Sequence, residues 1–303
     1  EFDVANYLQL EMPEPIYFEN FDGVEEFELP EGWDVVNLSQ ELNTELEPDD
    51  FTSAYYEGWV NVAMSRWSKS GSSAQKAVQP APPVFVNGSR QALEGKALVA
   101  DSASRNGQFL TFLYTNDYDL SQHKDVHLGY YSHYAQNQDS SGSVEYSIDE
   151  GETWLPVVYM IDRDDIVKDD DGNVDAIATL ENEHGDIAIG YHPDTFEEVG
   201  GYYGAYIGAE ISEELAPYIS GRINDNHTES KRYELFRLPE ADGKKTVRFR
   251  LAKSGTYSWY WGIDNFGLYS IAPSSMPEVV EASPAAGSQG ANPMPLMTFV
   301  IKD

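Results

Sequence analysis

Alternation of apolar and polar residues is the main pattern in this chain. In Val247-Arg248-Phe249-Arg250-Leu251 every second residue is apolar, which marks a strand with one buried and one wet face. Strand-like runs recur at 97–100, 108–114, 126–135, 143–148, 154–160, 233–238, 246–252 and 257–271, with shorter ones at 16–21 and 35–36. Asp149-Glu150-Gly151-Glu152 separates two of them and reads as a hairpin turn. The stretch 49–69 is ambiguous, because Phe51, Tyr55, Trp59, Val62 and Trp67 suit one face of a helix. We read 59–64 as a strand, since Gly58 and the β-branched residues oppose a long helix. One short helix is predicted over 212–218, with Ser212 as N-cap and Glu213 and Glu214 in its first turn. Many short strands without a strand–helix–strand rhythm predict an all-β protein. The expected architecture is an antiparallel β-sandwich (jelly roll) with long loop insertions and a short helix.

Punctuation divides the chain. Residues 1–15, ending Met12-Pro13-Glu14-Pro15, read as an extended lead-in, and 16–271 as the sandwich. Residues 79–87 form a Pro-rich loop and 162–175 an acidic one. The segment 272–303 reads as a Pro/Ser/Ala-rich linker ending in a strand-like run, Leu296-Met297-Thr298-Phe299-Val300-Ile301. Such an apolar run aggregates if left in water, so it should pair with its own sandwich, with a following module, or with a neighbouring chain. The last option would make 296–301 a self-assembly strand.

Charge narrows the function. The 303 residues hold 19 Lys plus Arg against 52 Asp plus Glu, a net charge of −33. That field repels phosphate backbones and anionic membrane surfaces, which argues against nucleic-acid partners. No run of about 18 apolar residues exists to insert into a membrane. Apolar residues make up 41%, with 20 Tyr, 13 Phe and 6 Trp, so the charge sits on the surface of a packed domain. The absence of cysteine removes disulfides, cysteine-based zinc sites and thiol nucleophiles together. This is the profile of an acidic protein from a saline or extracellular setting.

Three motifs carry a family resemblance. Phe18-Glu19-Asn20-Phe21-Asp22 precedes Leu29-Pro30-Glu31-Gly32-Trp33. Val144-Glu145-Tyr146-Ser147-Ile148-Asp149-Glu150-Gly151-Glu152-Thr153-Trp154 follows, and then Val247-Arg248-Phe249-Arg250 with Trp261-Gly262-Ile263-Asp264-Asn265-Phe266. In this order they resemble the secreted jelly-roll superfamily of MAM domains, reelin repeats and gingipain cleaved-adhesin domains. The chain departs from it by insertions at 34–95 and 160–232. The resemblance implies one buried calcium held by Glu19 and Asp264, with Asp22 and Asp101 as further partners. Gathered carboxylates repel one another unless a cation lies among them, and calcium seeks six to eight oxygens. The alternative is that these are ordinary surface carboxylates.

Other candidate chemistry comes from the residues alone. Asp169-Asp170-Asp171-Gly172-Asn173-Val174-Asp175 has the core of a calcium loop but not the full pattern, leaving Asp169, Asp171 and Asp175 as ligands of a shorter one, or a solvated turn. His127 and His133 share a strand face about 20 Å apart, too far for one metal ion. Two aromatic clusters, Tyr55, Tyr56 and Trp59, and Tyr202, Tyr203 and Tyr206, suit stacking on sugar rings or simple core packing. Trp154, Trp259 and Trp261 read as core. The expected function is a non-catalytic, calcium-stabilised module for glycan binding or adhesion, with a glycan or cell-surface partner, in a secreted or cell-surface bacterial protein. The alternatives are a structural subunit of an extracellular array or fibre, and a glycan-degrading enzyme on a jelly-roll scaffold.

Overall fold

A computed structural model describes residues 9–39, 58–69, 75, 85–86, 89–90, 93–104, 108–137, 140–181, 190–191, 198–199, 206–227, 230–256, 258–273, 278–283 and 298–302. Twelve strands build the sandwich: β1 Tyr17–Glu19, β2 Asp34–Asn37, β3 Val60–Ala63, β4 Lys96–Asp101, β5 Gln108–Tyr114, β6 Val126–Tyr134, β7 Ser141–Ser147, β8 Leu155–Asp162, β9 Ile219–Arg222, β10 Lys231–Arg237, β11 Arg248–Thr256 and β12 Tyr260–Ser270. The first sheet runs β9-β8-β7-β11-β5-β2. The second runs β10-β6-β12-β4-β3, with β1 also paired to β12. All these ladders are antiparallel except β8–β9. Each link from β4 through β7, and from β9 through β12, crosses between sheets, as expected of a jelly roll.

The main core lies between the sheets. Val144, Tyr146, Phe249 and Leu251 from the first meet Leu128, Tyr130, Ile263, Phe266 and Leu268 from the second. Edge-to-face aromatic contacts fix their relative positions: Phe249 and Phe266 are 5.6 Å apart, Trp33 and Phe266 5.2 Å, Trp59 and Trp261 5.0 Å.

Alternation on β11 sends Phe249 and Leu251 inward and Arg250 and Ala252 to the other face. The expectation of a wet outer face fails, because Arg250 is only 6% exposed. Residues 206–219 of the long insertion lie over this sheet, where Ile207, Leu215 and Ile219 pack with Tyr159 and Ile161.

The ambiguous stretch contains both elements: β3, and then one helical turn, Met64–Trp67. The helix predicted at 212–218 is a 3-10 helix, Glu213–Tyr218. Ser212 holds its N-cap position, yet its side chain makes no capping bond. A further helical segment, 176–181, follows the acidic loop.

Within the segment read as a linker, Glu278–Ser283 pairs antiparallel with Thr298–Lys302, Glu278 opposite Lys302 and Ser283 opposite Thr298. The terminal strand thus has a partner in its own chain. No helix among the described residues is long and apolar enough to cross a membrane.

Candidate functional site

Two places concentrate polar chemistry. The first is an irregularity in β12. Along one edge, Tyr260–Ile263 pairs with β4 and Phe266–Leu268 pairs with β1, so the neighbouring strand changes at Asp264-Asn265. The register against β6 also shifts between Asp264 and Gly267. The chain accommodates this with left-handed backbone at Asn265 (φ 52°) and Phe21 (φ 61°).

Asp264 is 3% exposed in that break. Its Oδ2 accepts a hydrogen bond from the Glu94 amide at 3.1 Å, and its Oδ1 one from the Asn265 amide at 2.7 Å. Burial pushes its pKa up to about 8; the two amides oppose this, and the charges of Asp22 and Glu94 add to it. Burial also raises the Tyr131 hydroxyl to about 12, helped by Asp264 and Glu94. Asp22 Oδ1 accepts from the Lys96 amide at 2.8 Å. A β-carbon at Gly95 (φ 54°) would sit 2.1 Å from that oxygen, so only glycine lets the chain pass there. Glu19 Oε1 accepts from the Phe21 amide at 2.6 Å, and Glu19 lies opposite Phe266.

The structure thus gathers Asp264, Asp22 and Glu94, with Glu19 at the end of the adjoining strand. Glu94 was missed in the sequence, where it is one more acid ahead of β4. Asp101 does not join them. It ends β4 opposite Tyr260, and accepts from Trp67 Nε1 at 2.8 Å and the Ala103 amide at 3.0 Å. No group of three or more His, Cys, Asp or Glu among the described residues is spaced to hold a metal ion.

The acidic loop is built as a turn. Asp169 accepts from the Asn173 side-chain amide at Oδ2 (3.1 Å) and from the backbone amides of Asn173 (2.8 Å) and Asp171 (3.0 Å) at Oδ1, which together hold its carboxyl below the usual range. Asp175 Oδ1 accepts from the Ala178 amide at 2.8 Å, capping 176–181. Asp169 and Asp175 thus accept from backbone amides, and Asp171 is exposed. His127 Nδ1 lies 2.7 Å from the Asp125 carbonyl, and burial lowers the pKa of its ring.

The second place is the outer face of the first sheet. Arg250 is sandwiched between rings, 4.1 Å from the Trp154 centroid and 4.7 Å from that of Tyr206. Phe112 meets Tyr206 edge-on at 4.7 Å, and Tyr114 meets Trp154 at 5.9 Å. The guanidinium pairs with Glu145 Oε2. Glu145 Oε1 accepts from Tyr159 Oη (2.8 Å) and from the amides of Gly208 (2.6 Å) and Ala209 (3.2 Å). Burial works against the Arg250 charge, but Glu145 more than offsets it. A β-carbon at Gly208 would lie 2.0 Å from Arg250 Nη2, so the covering segment needs glycine there. Tyr114, Trp154 and Tyr206 remain half-buried.

The aromatic expectations therefore divide. Tyr206 takes part in this face. Trp59 does not: lying in the bend just ahead of β3, it is buried in the main core against Trp261. Tyr55, Tyr56, Tyr202 and Tyr203 lie outside the described residues. Trp261 is core as expected. Trp154 and Trp259 are only partly buried, and Trp259 Nε1 donates to Asp225 at 2.6 Å.

No family model matches this chain, and no curated protein does. Some solved structures are similar at low identity. The carbohydrate-binding module TmCBM61, solved with β-1,4-galactotriose, is 10% identical over 80% of this chain and 90% of that one, with a TM-score of 0.35. The K1 cleaved adhesin domain of Lys-gingipain from Porphyromonas gingivalis W83 is 13% identical over 84% and 98%, with a TM-score of 0.35. The K3 domain of the same protein is 11% identical over 85% and 100%, with a TM-score of 0.32. None of them assigns a ligand to this chain.

Proposed function

We propose that this chain is a non-catalytic glycan-binding or adhesion module of a secreted or cell-surface bacterial protein, and that it binds through the outer face of its first sheet. The observation that carries the reading is the clamping of Arg250 between Trp154 and Tyr206. Sugar rings present apolar C–H faces, which aromatic rings accept by stacking. Here the rings are fixed before any ligand arrives, because the Glu145–Arg250 pair holds the guanidinium between them. Preorganised rings lose little freedom on binding. Glu145 has both oxygens engaged, which suits a structural anchor better than an acid or base.

A glycan array probed with the chain, followed by titration of the best hit, tests this. Trp154→Ala and Tyr206→Ala should each weaken binding at least tenfold with an unchanged far-UV spectrum. Unaltered binding in both variants would refute the assignment, as would an array with no hits.

We also propose that the Asp264 junction takes up calcium. The groups gathered there, Asp264, Asp22, Glu94 and nearby Glu19, offer only carboxylate oxygens, the donors calcium prefers. Burial and the charges of Asp22 and Glu94 disfavour ionisation of Asp264, and a bound cation would favour it. Isothermal titration with calcium, set beside Asp264→Ala, tests this. No heat with the unaltered protein would overturn it.

A further inference from the structure

The open side of the sandwich has a feature that the aromatic face does not account for. There β9, an edge of the first sheet, and β10, an edge of the second, flank a cleft of about 340 Å3. Tyr218, Ser220, Arg222, Glu234, Phe236 and Arg237 are among its lining residues. Arg222 is 1% exposed, which makes it floor and not rim. Its Nη2 donates to Glu234 Oε1 at 2.8 Å, whereas its Nε and Nη1 have no hydrogen-bond partner among the described residues. Behind it the buried hydroxyl of Tyr130, within the field of both Glu234 and Arg222, also has none. Buried donors left open in this way cost stability, and a ligand that accepts from them would recover that cost.

Charge decides what kind of molecule fits. Three arginines, Arg222, Arg232 and Arg237, meet three carboxylates, Glu234, Asp125 and Asp242. An anion would gain no net attraction at the cleft and would approach against the field of the whole chain. A neutral polyhydroxyl compound suits it better. Glu234 accepts, Arg222 donates, and Tyr218 and Phe236 supply apolar walls. The volume lies at the lower end for small-molecule sites, enough for a sugar ring but not for a long chain.

We propose that this cleft is a second binding site, separate from the aromatic face, that takes a single neutral sugar residue. The choice of a sugar over other polyols rests on the glycan-binding reading; the site and the neutrality of its ligand do not.

Amide chemical-shift mapping on the full chain tests it. The probes are the methyl glycosides of glucose, galactose, mannose and N-acetylglucosamine, with glucuronate and galacturonate as charged counterparts. At least one neutral glycoside should shift Tyr218, Ser220 and Phe236, and the uronates should bind there at least tenfold more weakly. Ser220→Phe, which fills the cleft from β9, should abolish these shifts, and Glu234→Gln should weaken binding about tenfold. Tyr206→Ala should leave them in place. Absence of cleft shifts with every neutral glycoside, their survival in Ser220→Phe, or tighter binding of a uronate would overturn the proposal. Cleft shifts without any response at Trp154 and Tyr206 would instead count against the aromatic face alone.

Discussion

The Glu94 amide donates to Oδ2 of Asp264 at 3.1 Å across 170 residues of sequence. That bond joins the start of β4 to the break in β12 and makes a buried carboxyl the hinge point of three strands. Its raised pKa sets the sign of a pH effect. Folding favours the protonated form, so without metal this group's contribution is most favourable below the unfolded value near 4. It is lost as pH rises toward about 8. Melting curves in chelator at pH 5, 7 and 8.5 should show this decline, and Asp264→Asn should flatten it. Calcium at pH 8.5 should raise the melting temperature again, since 100 times its dissociation constant adds about 2.7 kcal/mol of stability. A pH-independent melting temperature in chelator would contradict this account of Asp264.

The Glu145–Arg250 pair should be costly to break from one side. Glu145→Ala leaves a buried guanidinium uncompensated, at a cost of about 3–5 kcal/mol. Replacing both residues by apolar ones, Glu145→Leu with Arg250→Met, should cost much less. A double-mutant cycle in urea measures the coupling, and additive losses would mean that the pair is better solvated than its burial implies.

Trp59 and Tyr206 should separate cleanly. Trp59→Ala removes a ring packed on Trp261 in the main core and should cost about 3–5 kcal/mol. Tyr206→Ala removes a half-buried ring and should leave the urea midpoint close to that of the parent while lowering glycan affinity. A Trp59 variant of full stability would show that β3 contributes little to the core.

The turn between β7 and β8 rests on Asp149. Its carboxylate accepts from the Thr153 amide at 2.9 Å and from the hydroxyls of Thr153 and Ser147, which lowers its pKa to about 2. Its support is complete above about pH 4 and disappears as pH falls through about 2. Asp149→Ala should therefore lower the melting temperature at pH 7 and cause no further loss at pH 2. An equal loss at both values would point to packing instead of charge.

What the sequence revealed, and what it hid, follows from the range of each interaction. The run 108–114 matches β5 at both ends, because Phe109, Leu110, Phe112 and Leu113 are buried on whichever face they point to. Alternation in β11 identified two faces correctly but could not show that residues 206–219 cover the second. The resemblance named Asp264 and Asp22 together, and the fold brings the two within reach of each other's charge. Asp101 was not separable from them, because its engagement with Trp67 depends on a helical turn 34 residues away. Glu94 gave no signal, since only the folded chain places it beside Asp264. The strand at 278–283 was hidden because Val279 and Val280 are flanked by acids and followed by proline-rich sequence.

The pairing of β1 with β12 has a mechanical consequence. Tyr17 lies opposite Leu268, and the Ile16 amide donates to the Leu268 carbonyl at 2.7 Å, so the chain enters and leaves the sandwich at one corner. Tension applied between the two flanks loads this short ladder as a zipper, one bond at a time, while the remaining strands carry nothing. Optical-tweezer pulling from residues outside 16 and 271 should show a small, low-force step before the main rupture. Peeling β1 also draws Glu19 from the Asp264 junction, so a cation seated there would harden that step and act as a chemically set fuse between a tethered partner and the folded body.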